Sequence, residues 1–286
     1  MSLETDMRNE PFGTRLRAIM DARGPLCVGI DPHQHLLDQW GLPDTAEGLA
    51  SFTYGVVDAL ADRVGVFKPQ SAFFERFGSA GVAVLEQATI RLREAGALVI
   101  IDAKRGDIGT TMAGYASAYL AEKGPLACDA LTVSPYLGFG SLQPAIDEAR
   151  AAGAGLFVLA LTSNPEGPQF QSARTVDGPT VAGAVLDGLR SLNDADGSSF
   201  GSFGAVVGAT ISRTDEDLDI RGPLLAPGLG AQGGTAEALR AVFGEVAARN
   251  VVPSSSREIL GAGPNAAGLQ EAADRANDAY RTALGY

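Results

Sequence analysis

The sequence predicts an α/β protein, a single (β/α)8 TIM barrel of residues 1–286 with an extra N-terminal helix. Short runs rich in Val, Leu and Ile recur along the chain and are continuously apolar, as strands buried on both faces of a parallel sheet are. Amphipathic helical segments separate these runs, and strand and helix alternate about eight times. The length of 286 residues is usual for one such barrel.

The predicted elements follow in order along the chain. The strands are expected at residues 26–30, 64–67, 97–101, 130–134, 155–161, 204–209, 223–229 and 250–254. Helices are predicted at residues 45–64, 79–96, 140–153, 180–196, 235–250 and 265–284. The extra helix, about residues 14–22, is expected to plug the bottom of the barrel. A Gly/Ser/Asp-rich stretch near residues 192–204 predicts a long loop before the sixth strand.

An open, doubly wound sheet is the alternative architecture. A dinucleotide-binding sheet would carry Gly-x-Gly-x-x-Gly directly after its first strand. Here the first strand leads into GIDPHQH, so that motif is absent and the closed barrel is favoured.

Charge and composition exclude several classes of partner. The net charge of −12 argues against a nucleic acid or an anionic membrane as partner, because both need broad positive surfaces. An anionic ligand must therefore meet a local cationic pocket. No signal-like N-terminal core and no apolar run of ~20 residues is present, so no membrane association and a cytoplasmic location are expected. Cys27 and Cys128 lie in apolar sequence and are expected to be buried free thiols.

Charged residues stand at the ends of the first three strands. Chemistry in such barrels collects at the carboxyl ends of the strands, where Asp31, Lys68, Asp102 and Lys104 are predicted to lie. Asp102 and Lys104 are two residues apart and should point to the same side of their strand. Alternating acids and bases keep one another ionised. A fixed ammonium in a dry pocket stabilises a developing carbanion and then protonates it, so the sequence indicates proton transfer at carbon.

The ends of the last two strands favour a phosphate site. PGLGAQGG, residues 227–234, places a glycine-rich backbone before a predicted helix, where free N–H groups bind anions. The loops after strands seven and eight are the usual phosphate site of these barrels, and Arg257 adds a bidentate cation.

His33 and His35 raise the alternative of a barrel metallohydrolase. A metal site of that kind needs further histidines on later strands, and the chain has only these two. No metal site is predicted, and the pair is expected either to face solvent or to have a role in loop structure.

With these residues together, the chain resembles the orotidine 5'-phosphate decarboxylases, which make UMP. The D-x-K-x-x-D signature of that family matches Asp102, Lys104 and Asp107 in DAKRGDIGTT, a form similar to that of one bacterial subgroup. Further matches occur in order along the chain at Asp31, Lys68, Ser163, Gln232 and Arg257.

The resemblance implies a role for each residue. Lys104 would stabilise and protonate the C6 carbanion, Asp102 would press on the substrate carboxylate, and Lys68 would hold the charged array. Asp31, together with Lys68, would contact the ribose. Ser163 would contact the pyrimidine and Gln232 both base and phosphate, while the phosphate would be bound by Gly233, Gly234 and Arg257. Asp107 and Thr111 would reach the neighbouring subunit's site, which implies a homodimer with shared active sites. No metal or organic cofactor is implied.

Two other functions remain as alternatives. Related barrels with the same signature decarboxylate a sugar-acid phosphate or make a hexulose phosphate with Mg2+, and they carry a carboxylate at the second strand end, where this chain has Lys68. A non-catalytic phosphosugar-binding barrel would need the glycine loop and Arg257 but not the set of four charges.

Overall fold

Eight parallel strands close into one barrel in the order in which they follow along the chain. The computed structural model describes residues 10–211, 214–230, 233–246 and 250–286. The last strand pairs with the first, with Cys27 opposite Ser254. The strands are β1 (Cys27–Ile30), β2 (Val66–Pro69), β3 (Leu98–Arg105), β4 (Ala130–Val133), β5 (Gly155–Leu161), β6 (Phe203–Val207), β7 (Leu224–Pro227) and β8 (Val251–Ser255). The predicted (β/α)8 barrel is confirmed.

Helices connect the strands and cover the outside of the barrel. In chain order they are α1 (Phe12–Arg23), α2 (Gln34–Gln39), α3 (Ala46–Leu60), α4 (Ser71–Glu75), α5 (Gly78–Glu94), α6 (Gly109–Tyr119), α7 (Gln143–Ala152), α8 (Gly167–Gln171), α9 (Val181–Asp196), α10 (Ala236–Phe243), α11 (Arg257–Leu260) and α12 (Ala266–Leu284). Short 3-10 turns stand at Phe139–Leu142 and Gly244–Val246. No helix in the described ranges is long and apolar enough to cross a membrane.

Helix α1 closes the bottom of the barrel, as predicted. Phe12, Leu16 and Met20 recur every four residues, so they share one face of the helix, and all three are fully buried. The Phe12 ring meets that of Phe157 on β5 edge to face, with the centroids 6.0 Å apart. These side chains join the cluster inside the barrel, which includes Ile100 of β3.

The strands alternate between the barrel interior and the layer beneath the helices. On β3, Leu98 and Ile100 belong to the inner cluster, whereas Val99 and Ile101 pack against the surrounding helices. This two-residue period is the geometry of a pleated strand. Both faces are therefore buried, which explains the continuously apolar runs in the sequence.

The structure corrects some predicted bounds. Helix α6, which follows the charged end of β3, is absent from the predicted set, although Met112, Ala116 and Tyr119 form its buried stripe. The loop expected at residues 192–204 is shorter, because α9 continues to Asp196. Strand β3 runs to Arg105 and not to residue 101, so it carries its charges within the strand.

Candidate active site

Strand β3 arches away from β4 at the charged residues. Ile101 pairs with Leu131 and Arg105 with Val133, so four steps along β3 match only two along β4. The arch places Lys104 in the left-handed region, with φ 48°, which is costly for a residue with a side chain. The arch therefore holds the lysine in a conformation that a regular strand does not adopt.

Asp102 lies at the centre of the site. Its Oδ1 accepts a hydrogen bond of 2.6 Å from Lys104 Nζ and one of 2.9 Å from Thr132 Oγ1. Its Oδ2 accepts from Lys68 Nζ at 3.1 Å, and the Gln70 amide, with its nitrogen turned toward Asp102, donates to the same oxygen. Four donors thus converge on one buried carboxylate, and Asp102 and Lys104 do point to the same side, as predicted.

Opposite charges fix the protonation of this cluster. Burial alone would raise the pKa of Asp102, but the ammonium groups of Lys68 and Lys104 outweigh burial and lower the pKa to about 2. For Lys68, burial would lower the pKa, and the nearby Asp31 and Asp102 carboxylates raise it above its ordinary value instead. Asp102 and Lys68 are therefore both charged at neutral pH.

The two lysines differ in their access to a ligand. The Lys68 side chain is 6% exposed, whereas that of Lys104 is 42% exposed. Lys68 therefore acts inside the array, and Lys104 presents its ammonium to the mouth of the barrel.

Asp31, directly after β1, has one oxygen that lacks a hydrogen bond. Its Oδ1 lies 3.9 Å from Lys68 Nζ, too long for a hydrogen bond, and is buried without a hydrogen-bond partner among the residues that the structure describes. A buried acceptor of this kind is costly unless a ligand donates to it.

The end of β5 presents Ser163 on the surface of the mouth. Beside it, Gln171 of α8 holds Thr162 by two hydrogen bonds: its Oε1 accepts from Thr162 N at 2.9 Å, and its Nε2 donates to Thr162 Oγ1 at 2.7 Å. Gly208, after β6, lies against Ser163, since a Cβ there would stand 3.1 Å from the Ser163 nitrogen. Ser163 itself is exposed, next to a residue that is held in place and close to the backbone of Gly208.

The glycine-rich turn after β7 uses its own N–H groups in this structure. Gly233 N donates to Gly230 O at 2.8 Å, and Gly234 N donates to Gly228 O at 3.1 Å. These amides therefore point into the turn and not toward a ligand. Gln232, the remaining predicted residue of this loop, lies outside the described residues.

Arg257 opens the short helix α11 after β8. Burial lowers the pKa of His33, after β1, and the positive charges of His35 and Arg257 add to this effect. No ion pair ties Arg257 to another residue of the described ranges. Its guanidinium is therefore available to an anion at the mouth.

Asp107 and Thr111 stand apart from the array. Asp107 Oδ1 accepts from the adjacent Ile108 N, at 2.8 Å, and Thr111 is exposed in the first turn of α6. Within the described part of the chain, no hydrogen bond or ion pair joins either residue to Lys68, Asp102 or Lys104.

The two histidines pack together at the start of α2. The rings of His33 and His35 stack with centroids 5.3 Å apart, and His33 meets Phe73 edge to face at 4.3 Å. The described residues contain no group of three or more His, Cys, Asp or Glu side chains placed to hold a metal ion.

Residues 24–272 match the profile of the orotidine 5'-phosphate decarboxylase / HUMPS family. The chain belongs to this family. An orotidine 5'-phosphate decarboxylase of Streptomyces coelicolor is 60% identical over 276 residues, which cover 96% of this chain and 99% of that relative. One from a Nocardioides species is 62% identical over 253 residues, covering 87% and 92%.

Comparison with a solved structure also supports membership of this family. A crystal structure from Streptomyces avermitilis, of a protein assigned the decarboxylase activity, superposes with a TM-score of 0.94 at 58% identity. The match covers 100% of this chain and 98% of that one. Membership of the decarboxylase family, predicted from the signature around Lys104, is therefore confirmed.

Sequence reasoning missed two residues that contact the decarboxylase signature. Thr132 is a polar residue inside the apolar run of β4, and Gln70 follows directly after β2. The sequence feature that could have identified Thr132 is a single polar side chain within an otherwise apolar strand. Its contact with Asp102 depends on the arch of β3, which residue spacing does not indicate.

Proposed function

We propose that the Lys68–Asp102–Lys104 array performs the reaction for which the curated relatives are named, the decarboxylation of orotidine 5'-phosphate to UMP. The observation that carries this assignment is the position of one buried carboxylate between two ammonium groups, 3.1 Å and 2.6 Å from their nitrogens. The chemistry needs both signs of charge in one shielded pocket.

The negative charge of Asp102 repels the substrate carboxylate, and decarboxylation removes this repulsion. Asp102 stays ionised because of its two lysine neighbours, so a substrate carboxylate beside it meets a fixed negative charge. The C6–carboxylate bond breaks with its electron pair left on C6, and CO2 departs without charge. The repulsion disappears in that step, which lowers the barrier relative to the bound substrate.

Lys104 stabilises the carbanion and supplies the proton. Its exposed ammonium is fixed by Asp102 at one side and faces the barrel mouth on the other. The ammonium attracts the electron pair that develops on C6 and then transfers a proton to it, giving UMP. The neutral amine regains a proton from solvent, so the net reaction consumes one proton and releases CO2.

The remaining site residues bind the non-reacting parts of the substrate. Asp31 Oδ1, buried without a hydrogen-bond partner, would accept from a ribose hydroxyl. Ser163 would read the pyrimidine edge, and Gln232 would bridge base and phosphate. Arg257 would bind the phosphate with Gly233 and Gly234, whose N–H groups must first leave their partners within the turn.

We further propose a homodimer in which Asp107 and Thr111 complete the partner's site. Ile108, Tyr136 and Leu137 are 61%, 71% and 52% exposed in the loops after β3 and β4. These loops touch, because a Cβ on Gly106 would lie 2.5 Å from Ser134 O. An exposed apolar surface next to two unused polar residues is typical of a subunit interface.

Lys68 favours this reaction over the Mg2+-dependent alternatives. Its ammonium occupies the strand end where those relatives carry a carboxylate, and it is buried against Asp102. A fixed cation there would repel Mg2+, which prefers oxygen ligands.

No cofactor is part of the proposed mechanism. The two free thiols fit the reducing cytoplasm, which is the proposed compartment.

An absorbance assay tests the proposal. Orotidine 5'-phosphate is incubated with the purified protein, and loss of the orotate-type ultraviolet absorbance is followed together with UMP formation by chromatography. Stoichiometric conversion to UMP is expected. A folded protein that binds UMP but leaves the substrate unchanged at any concentration would overturn it.

A further inference from the structure

Thr132 occupies an unusual position opposite the arch of β3. Its side chain is 1% exposed and lies in the barrel wall, where neighbouring positions of β4 are apolar. Three residues of β3, Asp102 to Lys104, face the single residue Thr132 between the flanking pairs. Backbone groups in such an arch lose their regular ladder partners.

The hydroxyl of Thr132 replaces one of those lost partners. Lys104 N donates to Thr132 Oγ1 at 2.9 Å. Because an amide N–H is always a donor, the hydroxyl oxygen must accept here, and its own proton is left to donate elsewhere. That proton goes to Asp102 Oδ1, also at 2.9 Å.

These contacts close a ring of three residues. Lys104 N–H donates to Thr132, Thr132 O–H donates to Asp102, and Asp102 Oδ1 accepts from Lys104 Nζ at 2.6 Å. Lys104 is thereby held at both ends, by its backbone amide and by its ammonium. Its left-handed backbone, with φ 48°, needs such support because the conformation is disfavoured.

We propose that Thr132 is a positioning residue for the decarboxylation, which fixes Lys104 and Asp102 through this ring without touching the substrate. The inference rests on the proposed function. It places part of the active-site geometry on β4, a strand to which the signature residues do not belong. A loss of precision in Lys104 is expected to lower the rate of the chemical step, since small displacements of reacting groups are costly.

The test compares Thr132→Val with Thr132→Ser. Valine keeps the shape of threonine but removes both hydrogen bonds and leaves Lys104 N–H without its acceptor. We expect kcat to fall by about 10-fold to 100-fold, as for the loss of a buried hydrogen-bond partner. Serine keeps the hydroxyl, and turnover within about threefold of the unchanged protein is expected.

Substrate binding separates positioning from a structural defect. Among the described residues, the Thr132 side chain hydrogen-bonds only to Asp102 and Lys104. KM for orotidine 5'-phosphate and Kd for UMP should therefore change little in Thr132→Val. Thr53→Val is the matched control. Thr53 is also fully buried, its hydroxyl has no hydrogen-bond partner in the described part of the chain, and it lies on α3, so kcat should be unchanged.

The outcomes distinguish this inference from the assigned reaction. Wild-type kcat in a folded Thr132→Val variant, an equal loss in Thr132→Ser, or a raised KM at unchanged kcat would each overturn the role of Thr132 and leave the proposed function intact. Absence of turnover in the unchanged protein would overturn the proposed function itself. If Thr132→Val does not fold, kcat and KM are measured for Thr132→Ser and Thr132→Ala instead. The same result is then expected for Thr132→Ala, a lower kcat at a nearly unchanged KM.

Discussion

Lys68 Nζ lies 3.1 Å from Asp102 Oδ2, and this buried ion pair joins β2 to β3. The pair makes stability depend on pH in the acid range. The pKa of Asp102 falls from 3.8 to about 2 on folding, so the folded protein binds fewer protons than the unfolded chain between these values. The stabilisation is present above about pH 4 and is lost as pH falls toward 2.

Urea unfolding at several pH values checks this dependence. Asp102 is expected to account for about 2 kcal/mol of the decrease in unfolding free energy between pH 5 and pH 2. Asp102→Asn should remove that part of the pH dependence of the unfolding free energy. Asp62→Asn, at an exposed position on the outside of the barrel, should leave the pH dependence unchanged. An unchanged slope in Asp102→Asn would contradict the pairing.

Lys104→Ala should abolish measurable turnover, because it removes both the carbanion's counter-charge and its proton donor. Binding of UMP should survive in part, since the ribose and phosphate contacts remain. The control is Lys123→Ala, an exposed lysine outside the site, which should retain wild-type kcat. The absorbance assay and calorimetry with UMP measure the two quantities. Turnover near that of the wild type in Lys104→Ala would remove Lys104 from its role.

Mixing two inactive variants tests the shared site. Lys104→Ala and Asp107→Asn, refolded together in equal amounts, should form hybrid dimers in which one of the two sites has both residues intact. Half of the dimers are then hybrids with one working site, so about one quarter of wild-type activity is expected. No recovery, once hybrid dimers have been demonstrated with two different tags, would argue against sharing.

Asp129→Ala should destabilise the bottom of the barrel without changing the site. Asp129 is 2% exposed, pairs with Arg15 at 2.5 Å and accepts from Val99 N at 2.9 Å. Breaking a buried pair on one side costs about 3–5 kcal/mol. The exposed Arg63–Asp274 pair, 3.2 Å long, provides the control, since Asp274→Ala should cost about 0–1 kcal/mol. Urea midpoints decide between these outcomes.

Cys27 and Cys128 should resist thiol reagents while the protein is folded. Both are buried, and burial raises the pKa of each thiol to about 12, so almost no thiolate exists at pH 8. We expect no labelling of the native protein and two labelled thiols per chain in denaturant. Rapid labelling of either thiol in the native protein would contradict its burial.

Strand ends were predictable from the sequence because burial on both faces gives continuous apolar runs. The charges at Asp31, Lys68 and Asp102 interrupt these runs, and barrel geometry brings neighbouring strand ends together. The confirmed convergence of Lys68, Asp102 and Lys104 follows from these two facts.

The arch of β3 and its partners could not be predicted in the same way. The left-handed conformation of Lys104 depends on how β3 and β4 pair, and a pairing irregularity leaves no simple residue pattern. The contact between Thr132 and Asp102 is therefore a tertiary feature. The roles of all the site residues, the shared dimer and the single domain of residues 1–286 stay predictions.

The pairing of β8 with β1 also determines when the site forms during synthesis of the chain. Asp31 leaves the ribosome early and Arg257 near the end, yet closure between Cys27 and Ser254 brings their strands side by side. A nascent chain that lacks β8 has two open strand edges, on β1 and β7, which can pair with other chains. Synthesis of β8 supplies the strand that pairs with both edges, and it completes the mouth of the barrel.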